Sequence, residues 1–124
     1  SLGLEKSLIE LIRLRTSQIN ACNYCVSLHT EEAMQSGETR DRIDNLSSWR
    51  KKDIYSEREK AALAWTEALT LIAQNEISDE FYGEVHEYFD DQELITLTIA
   101  INGINSWNRL AISFRTSEKA KEQF

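Results

Sequence analysis

The stretch "QINACNYCVSLHTEEA", Gln18 to Ala33, holds both cysteines of the 124-residue chain and one of its two histidines. Cys22 and Cys25 are three positions apart, and His29 follows four after the second. On an α-helix, positions three and four apart share a face. If residues from about Ala21 to Gln35 are helical, the two thiols are neighbours and the imidazole lies above Cys25 on the same stripe. Asn20 or its neighbours can cap such a helix, which puts Cys22 in the first turn, where unpaired backbone N–H groups favour a thiolate.

Working outward, "LEKSLIELIRLR" before the stretch repeats apolar residues at helical spacing, and "TSQIN" interrupts it with residues that prefer caps and turns. Beyond it, Ser36-Gly37 stops the second helix. Thr39 to Leu46 reads as a short third helix, and "SSWRKKDIY" as a connector. Ser56 with Glu59 forms a capping box that opens a fourth helix, "EREKAALAWTEALTLIAQ". Ser78 caps a fifth segment, "DEFYGEVHEYF". Asp90-Asp91 begin a long last helix through Phe114, whose Leu94–Ile101 run is apolar nearly all round and is expected at the centre or at a subunit interface.

Proline is absent and glycine occurs four times, which favours helices on short connections over a many-stranded sheet. The expected fold is all-α, one domain. A net charge of −7 argues against nucleic acid as a partner. No apolar run approaches membrane-spanning length and no secretory leader is visible, so a cytoplasmic location is expected. In that compartment a close cysteine pair points to redox or metal chemistry more than to a structural staple.

A thiol of pKa near 8.5 is about 3% ionised at pH 7, and lowering that value by about two units needs about 2.7 kcal/mol. A helix N-terminus supplies roughly 0.3–1 kcal/mol, so a further group must help, and His29 is the candidate, as base or as imidazolium. Three other readings of the constellation stand beside a redox dithiol. The cysteines could be an inert buried pair. They could be metal ligands with His29 and either His86 or Glu10, though no second CxxC is present. They could also be a redox sensor without turnover. Val26 after Cys25 rules out covalent haem attachment, and the lack of a preceding strand disfavours a thioredoxin fold.

The segments "LIELIRLRTSQINACNYCVSLHTEEA", "GETRDRIDNLSSWR", "SEREKAALAWTEALT" and "INSWNRLAISFR" closely resemble the AhpD-like alkylhydroperoxidases of the carboxymuconolactone decarboxylase superfamily. The likeness runs from about Leu4 to Arg115, and the pattern Glu-x11-Cys-x-x-Cys-x3-His is met by Glu10, Cys22, Cys25 and His29. It implies one domain over residues 1–124, a helical bundle of about six helices, beginning inside the family's usual N-terminal region. It also implies a homo-oligomer, trimeric or hexameric, that reduces hydroperoxides and is reset by an external dithiol such as a lipoyl-type carrier, with no bound cofactor or metal. By resemblance, Cys25 attacks the peroxide and becomes a sulfenic acid. Cys22 is proton donor and resolving thiol, and His29 and Glu10 form the proton relay.

Glu10 would lie about 18 Å from Cys22 on one continuous helix, so it joins the site only if the chain bends at "TSQIN". Without the family pattern it reads as a solvated acid. Tyr24 departs from the peroxidase members, which carry a histidine beside the second cysteine, and a phenol does not titrate near neutral pH. Trp49, Trp65 and Trp107 are expected to pack in the core or an interface, and Arg50 and Arg109 to make ion pairs. His86 is expected at or near the surface. Gly103 suggests close helix approach, and Glu59 and Glu67 read as solvated or structural.

Overall fold

The computed structural model describes residues 3–116 as six α-helices and two 3-10 turns, with no strand among them. The helices are α1 (Lys6–Ile19), α2 (Asn23–Gln35), α3 (Arg40–Asp44), α4 (Glu57–Thr70), α5 (Asp79–His86) and α6 (Asp91–Ser113). The 3-10 turns are Leu46–Lys51, between α3 and α4, and Ile72–Gln74, between α4 and α5.

Helix α1 is the hub, packing against α2, α4 and α6. Its apolar residues point in two directions. Leu8 and Ile12 join Ala62, Trp65, Val85, Phe89, Leu94, Leu97 and Ile101 in one core cluster. Leu11 and Leu14 join Ala33, Ile43, Leu46, Trp49, Tyr55 and Leu63 in a second. Each fully buried leucine or isoleucine contributes about 1.5–3 kcal/mol, so these four side chains alone hold three helices to α1.

The capping boxes of α4 (Ser56 with Glu59) and α6 (Asp90 with Glu93) are both formed. Ser78 caps α5, but that helix ends at His86, short of Phe89. Half of "SSWRKKDIY" is not a free connector, because Leu46–Lys51 coils as a 3-10 turn that buries Leu46 and Trp49.

The expected break at "TSQIN" falls at the end of that stretch. Helix α1 continues through Thr16, Ser17 and Gln18 to Ile19. Ser17 Oγ donates to the Arg13 carbonyl at 2.9 Å, satisfying the hydroxyl inside the helix. The chain reverses at Asn20-Ala21, where Ala21 takes the left-handed conformation at φ 56°. Asn20 therefore ends α1 rather than starting α2, and α2 begins at Asn23 with Cys22 as its N-cap.

The reversal is pinned by amides. Asn20 Nδ2 donates to Oδ1 of both Asn105 and Asn108 at 2.9 Å, and Asn108 Nδ2 donates to Ser17 Oγ at 3.1 Å. Asn108 is fully buried, so a polar knot fixes the α1–α2 corner to α6.

Helix α6 is apolar on two sides. Leu94, Leu97 and Ile101 face the core, whereas Ile95, Ile99, Trp107, Leu110 and Phe114 are exposed. Of the three tryptophans expected in the core or an interface, Trp49 and Trp65 are in the core and Trp107 is 66% exposed. A Cβ on Gly103 would meet nothing within 4 Å among the described residues, so of the close approach expected there, within or between subunits, the one within the chain is not seen among them.

Candidate active site

The corner puts Cys22 and Cys25 together as a disulfide, Cα atoms 5.2 Å apart. Cys22 Sγ accepts the Cys25 backbone N–H at 3.3 Å. As N-cap, Cys22 thus places its sulfur where the free N–H groups of a helix end converge, so a reduced Cys22 has a ready stabiliser for negative charge. Both cysteines are buried.

Cys25 opens on a cavity of about 240 Å³ lined with Tyr24, Leu28, His29, Trp107, Ala111 and Thr116. The lining is mostly apolar, with one sulfur and one imidazole as reactive groups. His29 and Cys25 therefore share a wall, as the four-residue spacing predicts. Tyr24 borders the same space at 38% exposure.

His29 is buried, and burial pushes its imidazole below the ordinary histidine value, against the opposing pull of Glu32 and Glu10. Burial therefore favours the neutral form of the ring. Its Nδ1 lies 3.0 Å from Glu32 Oε1 but out of hydrogen-bond alignment, so that buried nitrogen has no well-formed partner among the described residues.

Glu10 is 4% exposed, which replaces the solvated acid of the spacing argument with a buried one. Its Oε1 meets Arg13 Nη1 at 3.4 Å, and its Oε2 is buried without a hydrogen-bond partner. Ligating atoms of Glu10, His29 and Glu32 all lie within 4.8 Å of one another. Glu10 does not border the cysteine cavity. It lines a separate groove with Lys6, Ile9, Arg13, Thr96, Ile99 and Ala100. The groove, the Glu10 carboxyl, the imidazole and the cavity follow one another across the α1–α2 seam.

The cysteine–histidine metal set is not assembled. The two sulfurs are bonded to each other, and His86 lies on the exposed end of α5, its Nε2 2.6 Å from Asp91 Oδ1. Glu59 and Glu67 are structural. Glu59 pairs with Arg42 at 2.5 Å, and Glu67 accepts from Arg15 Nε at 3.0 Å, from Trp49 Nε1 at 2.9 Å and from Arg50. Glu32, Asn105 and Asn108 were not singled out by the sequence reading. Glu32 sits one turn beyond His29, and paired asparagines in an apolar helix were the available signal for the other two.

Residues 2–68, which include all four positions of the Glu-x11-Cys-x-x-Cys-x3-His pattern, match the carboxymuconolactone decarboxylase family. A crystal structure from Agrobacterium tumefaciens, of a protein of unknown function described as a candidate antioxidant defence protein AhpD, superposes with a TM-score of 0.88 at 41% identity, covering 91% of this chain and 77% of that one. The chain is an AhpD-like member of the carboxymuconolactone decarboxylase family.

Other relatives agree with this placement. The uncharacterised YdfG of Bacillus subtilis is 41% identical over 119 residues, 96% of this AhpD-like chain and 81% of the relative. The uncharacterised YnjA of Escherichia coli is 25% identical over 73% of this chain and 50% of its own length. An uncharacterised peroxidase-related protein from Silicibacter shares the fold at a TM-score of 0.80 and 22% identity, over 91% of this chain and 59% of that one. No helix among the described residues is long and apolar enough to cross a membrane.

Proposed function

We propose that this chain is a thiol-dependent peroxidase, reducing hydroperoxides at Cys25 and closing the Cys22–Cys25 disulfide. The observation that carries the reading is the shared wall of Cys25 and a neutral, buried His29 on an apolar cavity. Peroxide enters from the Leu28–Trp107 side. The Cys25 thiolate attacks one peroxide oxygen, the O–O bond breaks, and the departing alkoxide or hydroxide takes a proton. Cys25 is left as a sulfenic acid. Cys22, its charge favoured at the N-cap, gives up its proton and attacks that sulfur; the S–O bond breaks, and the departing hydroxide takes that proton and leaves as water. An external dithiol, of the lipoyl class, exchanges with the disulfide and restores both thiols.

His29 takes the Cys25 proton and returns it to the leaving oxygen; Glu10 exchanges protons with the imidazole and, through its own groove, with solvent. Because the imidazole is held below its usual value, peroxide consumption should rise as pH increases through that lowered value and be flat by neutrality. The exposed stripe Ile95, Ile99, Trp107, Leu110 and Phe114 supports a homo-oligomer, since a second copy would cover it, with Ile99 at the edge of the groove and Trp107 at the edge of the cavity. Size measurement in solution decides between the trimer and hexamer of the resemblance.

The test is consumption of hydrogen peroxide and of an organic hydroperoxide, coupled to reduced lipoamide. Turnover that Cys25→Ser abolishes, with Cys22→Ser accumulating a trappable sulfenic acid, is the expected result. A single stoichiometric oxidation to the disulfide without turnover under several dithiols would replace this reading with a redox sensor, the role that Tyr24, in place of a family histidine, favours.

A further inference from the structure

At the α1–α2 seam Glu10 Oε2 is buried without a hydrogen-bond partner, and His29 Nδ1 lies 3.0 Å from Glu32 Oε1 without an aligned hydrogen bond. A buried polar atom left unmatched is costly, so a native fold retains it where something else completes it. Both residues are more than nine-tenths buried, and the third group beside them, Glu32, is a carboxylate. His29 and Glu32 are one turn apart on α2 and Glu10 comes from the facing helix, the arrangement by which helical bundles present carboxylate and imidazole ligands to an ion.

We propose that Glu10, His29 and Glu32 form a binding site for one divalent transition-metal ion. The chemistry of the set suits it. One neutral imidazole and two carboxylates within 4.8 Å of one another offer nitrogen and oxygen donors, and their two negative charges balance a divalent ion. Arg13 engages Oε1 of Glu10 alone, leaving Oε2 free for coordination. The Arg13 side chain is 42% exposed, so its guanidinium can swing to water when an ion enters. Glu32 is 41% exposed, which gives an ion an approach from solvent that does not cross the cysteine cavity.

An ion held there would occupy the imidazole nitrogen and the carboxyl that the proton relay uses. Metal loading and proton transfer would then exclude each other, and the loaded chain would be a latched form. The binding claim does not depend on the peroxidase reading.

The experiment is calorimetric titration of Zn2+ into the full chain with its disulfide closed, so that free thiols do not compete, at pH 7. One saturable ion per chain is expected. Glu32→Gln, at a half-exposed position that leaves the fold intact by circular dichroism, should weaken it by more than about a hundredfold, since even loss of an outer-shell partner costs 10–100-fold. Glu10→Gln should do the same. No saturable binding, or binding that both variants retain, would overturn the proposal. So would binding that is lost in His86→Gln, because it would place the ion at the exposed His86–Asp91 pair. Oxidised protein cannot attack peroxide, so the outcome stands whether or not the reduced chain turns over.

Discussion

Glu67 and Glu10 are both withdrawn from water in the same bundle, yet their surroundings are opposites. Glu67, on α4, accepts from Arg15, Trp49 and Arg50, which ties α1, the Leu46–Lys51 turn and α4 together. Burial pushes its carboxyl up, but those hydrogen bonds outweigh burial and hold it below the ordinary carboxylate value. Glu10, on α1, has a single long contact to Arg13 and an unpartnered oxygen near the His29 imidazole. A buried acid that is fully matched stabilises the fold. One left unmatched beside a histidine is the acid to which the proposed mechanism gives proton traffic.

That contrast can be broken by experiment. The largest effect is expected at the unmatched pole. His29→Gln should slow peroxide consumption by about 10²–10⁴-fold, the range for loss of a positioned base, with little change in the denaturation midpoint. Steady-state rates and urea unfolding on the same preparation check both halves. Next, Glu67→Ala should destabilise by about 2 kcal/mol, because two cations and an indole N–H lose their common acceptor at a site that water still partly reaches. Urea unfolding with an unchanged slope would confirm it.

A smaller effect separates the two acids by pH. The Glu67 carboxyl titrates lower in the folded chain than in the unfolded one. Its contribution is therefore complete above the unfolded value and is lost as pH falls through the folded one. Between roughly pH 5 and pH 3, the stability of Glu67→Gln should fall less steeply than that of the parent chain. The smallest change is expected for Ser56→Ala. Removing the N-cap hydroxyl that holds the Glu59 N–H at 3.1 Å should cost about 1 kcal/mol, far from either acid and without effect on rate.

The sequence made the helical scaffold legible because its signals were local. The Ser56–Glu59 box, the Ser78 cap and the Asp90 start each depend on residues within one turn, and each formed. The cysteine pair and His29 were legible for the same reason, since a shared helical face needs no tertiary information. The α1–α2 corner was misplaced by several residues because Thr16 and Ser17 prefer caps on average, whereas here they are buried within α1 and Ser17 satisfies its hydroxyl on Arg13. What fixes the true corner is Asn20 reaching Asn105 and Asn108, more than eighty residues away, and no local rule encodes that reach.

Glu10 shows the same boundary from the other side. Spacing alone read it as a solvated acid, and the family pattern drew it into the site. Its burial and its distance from the cysteine cavity required the fold. Trp107, expected in the core or an interface, lies outside this chain's core, because a helix that is apolar all round does not say which side its own chain covers.

The most direct measurement compares kcat/KM for hydroperoxide in Glu10→Gln and Glu67→Gln, in one dithiol-coupled assay at a temperature where both are folded. The account predicts a loss of at least about a hundredfold in Glu10→Gln and a rate within about twofold of the parent in Glu67→Gln. Equal rates in the two variants, or a larger loss in Glu67→Gln, would contradict it.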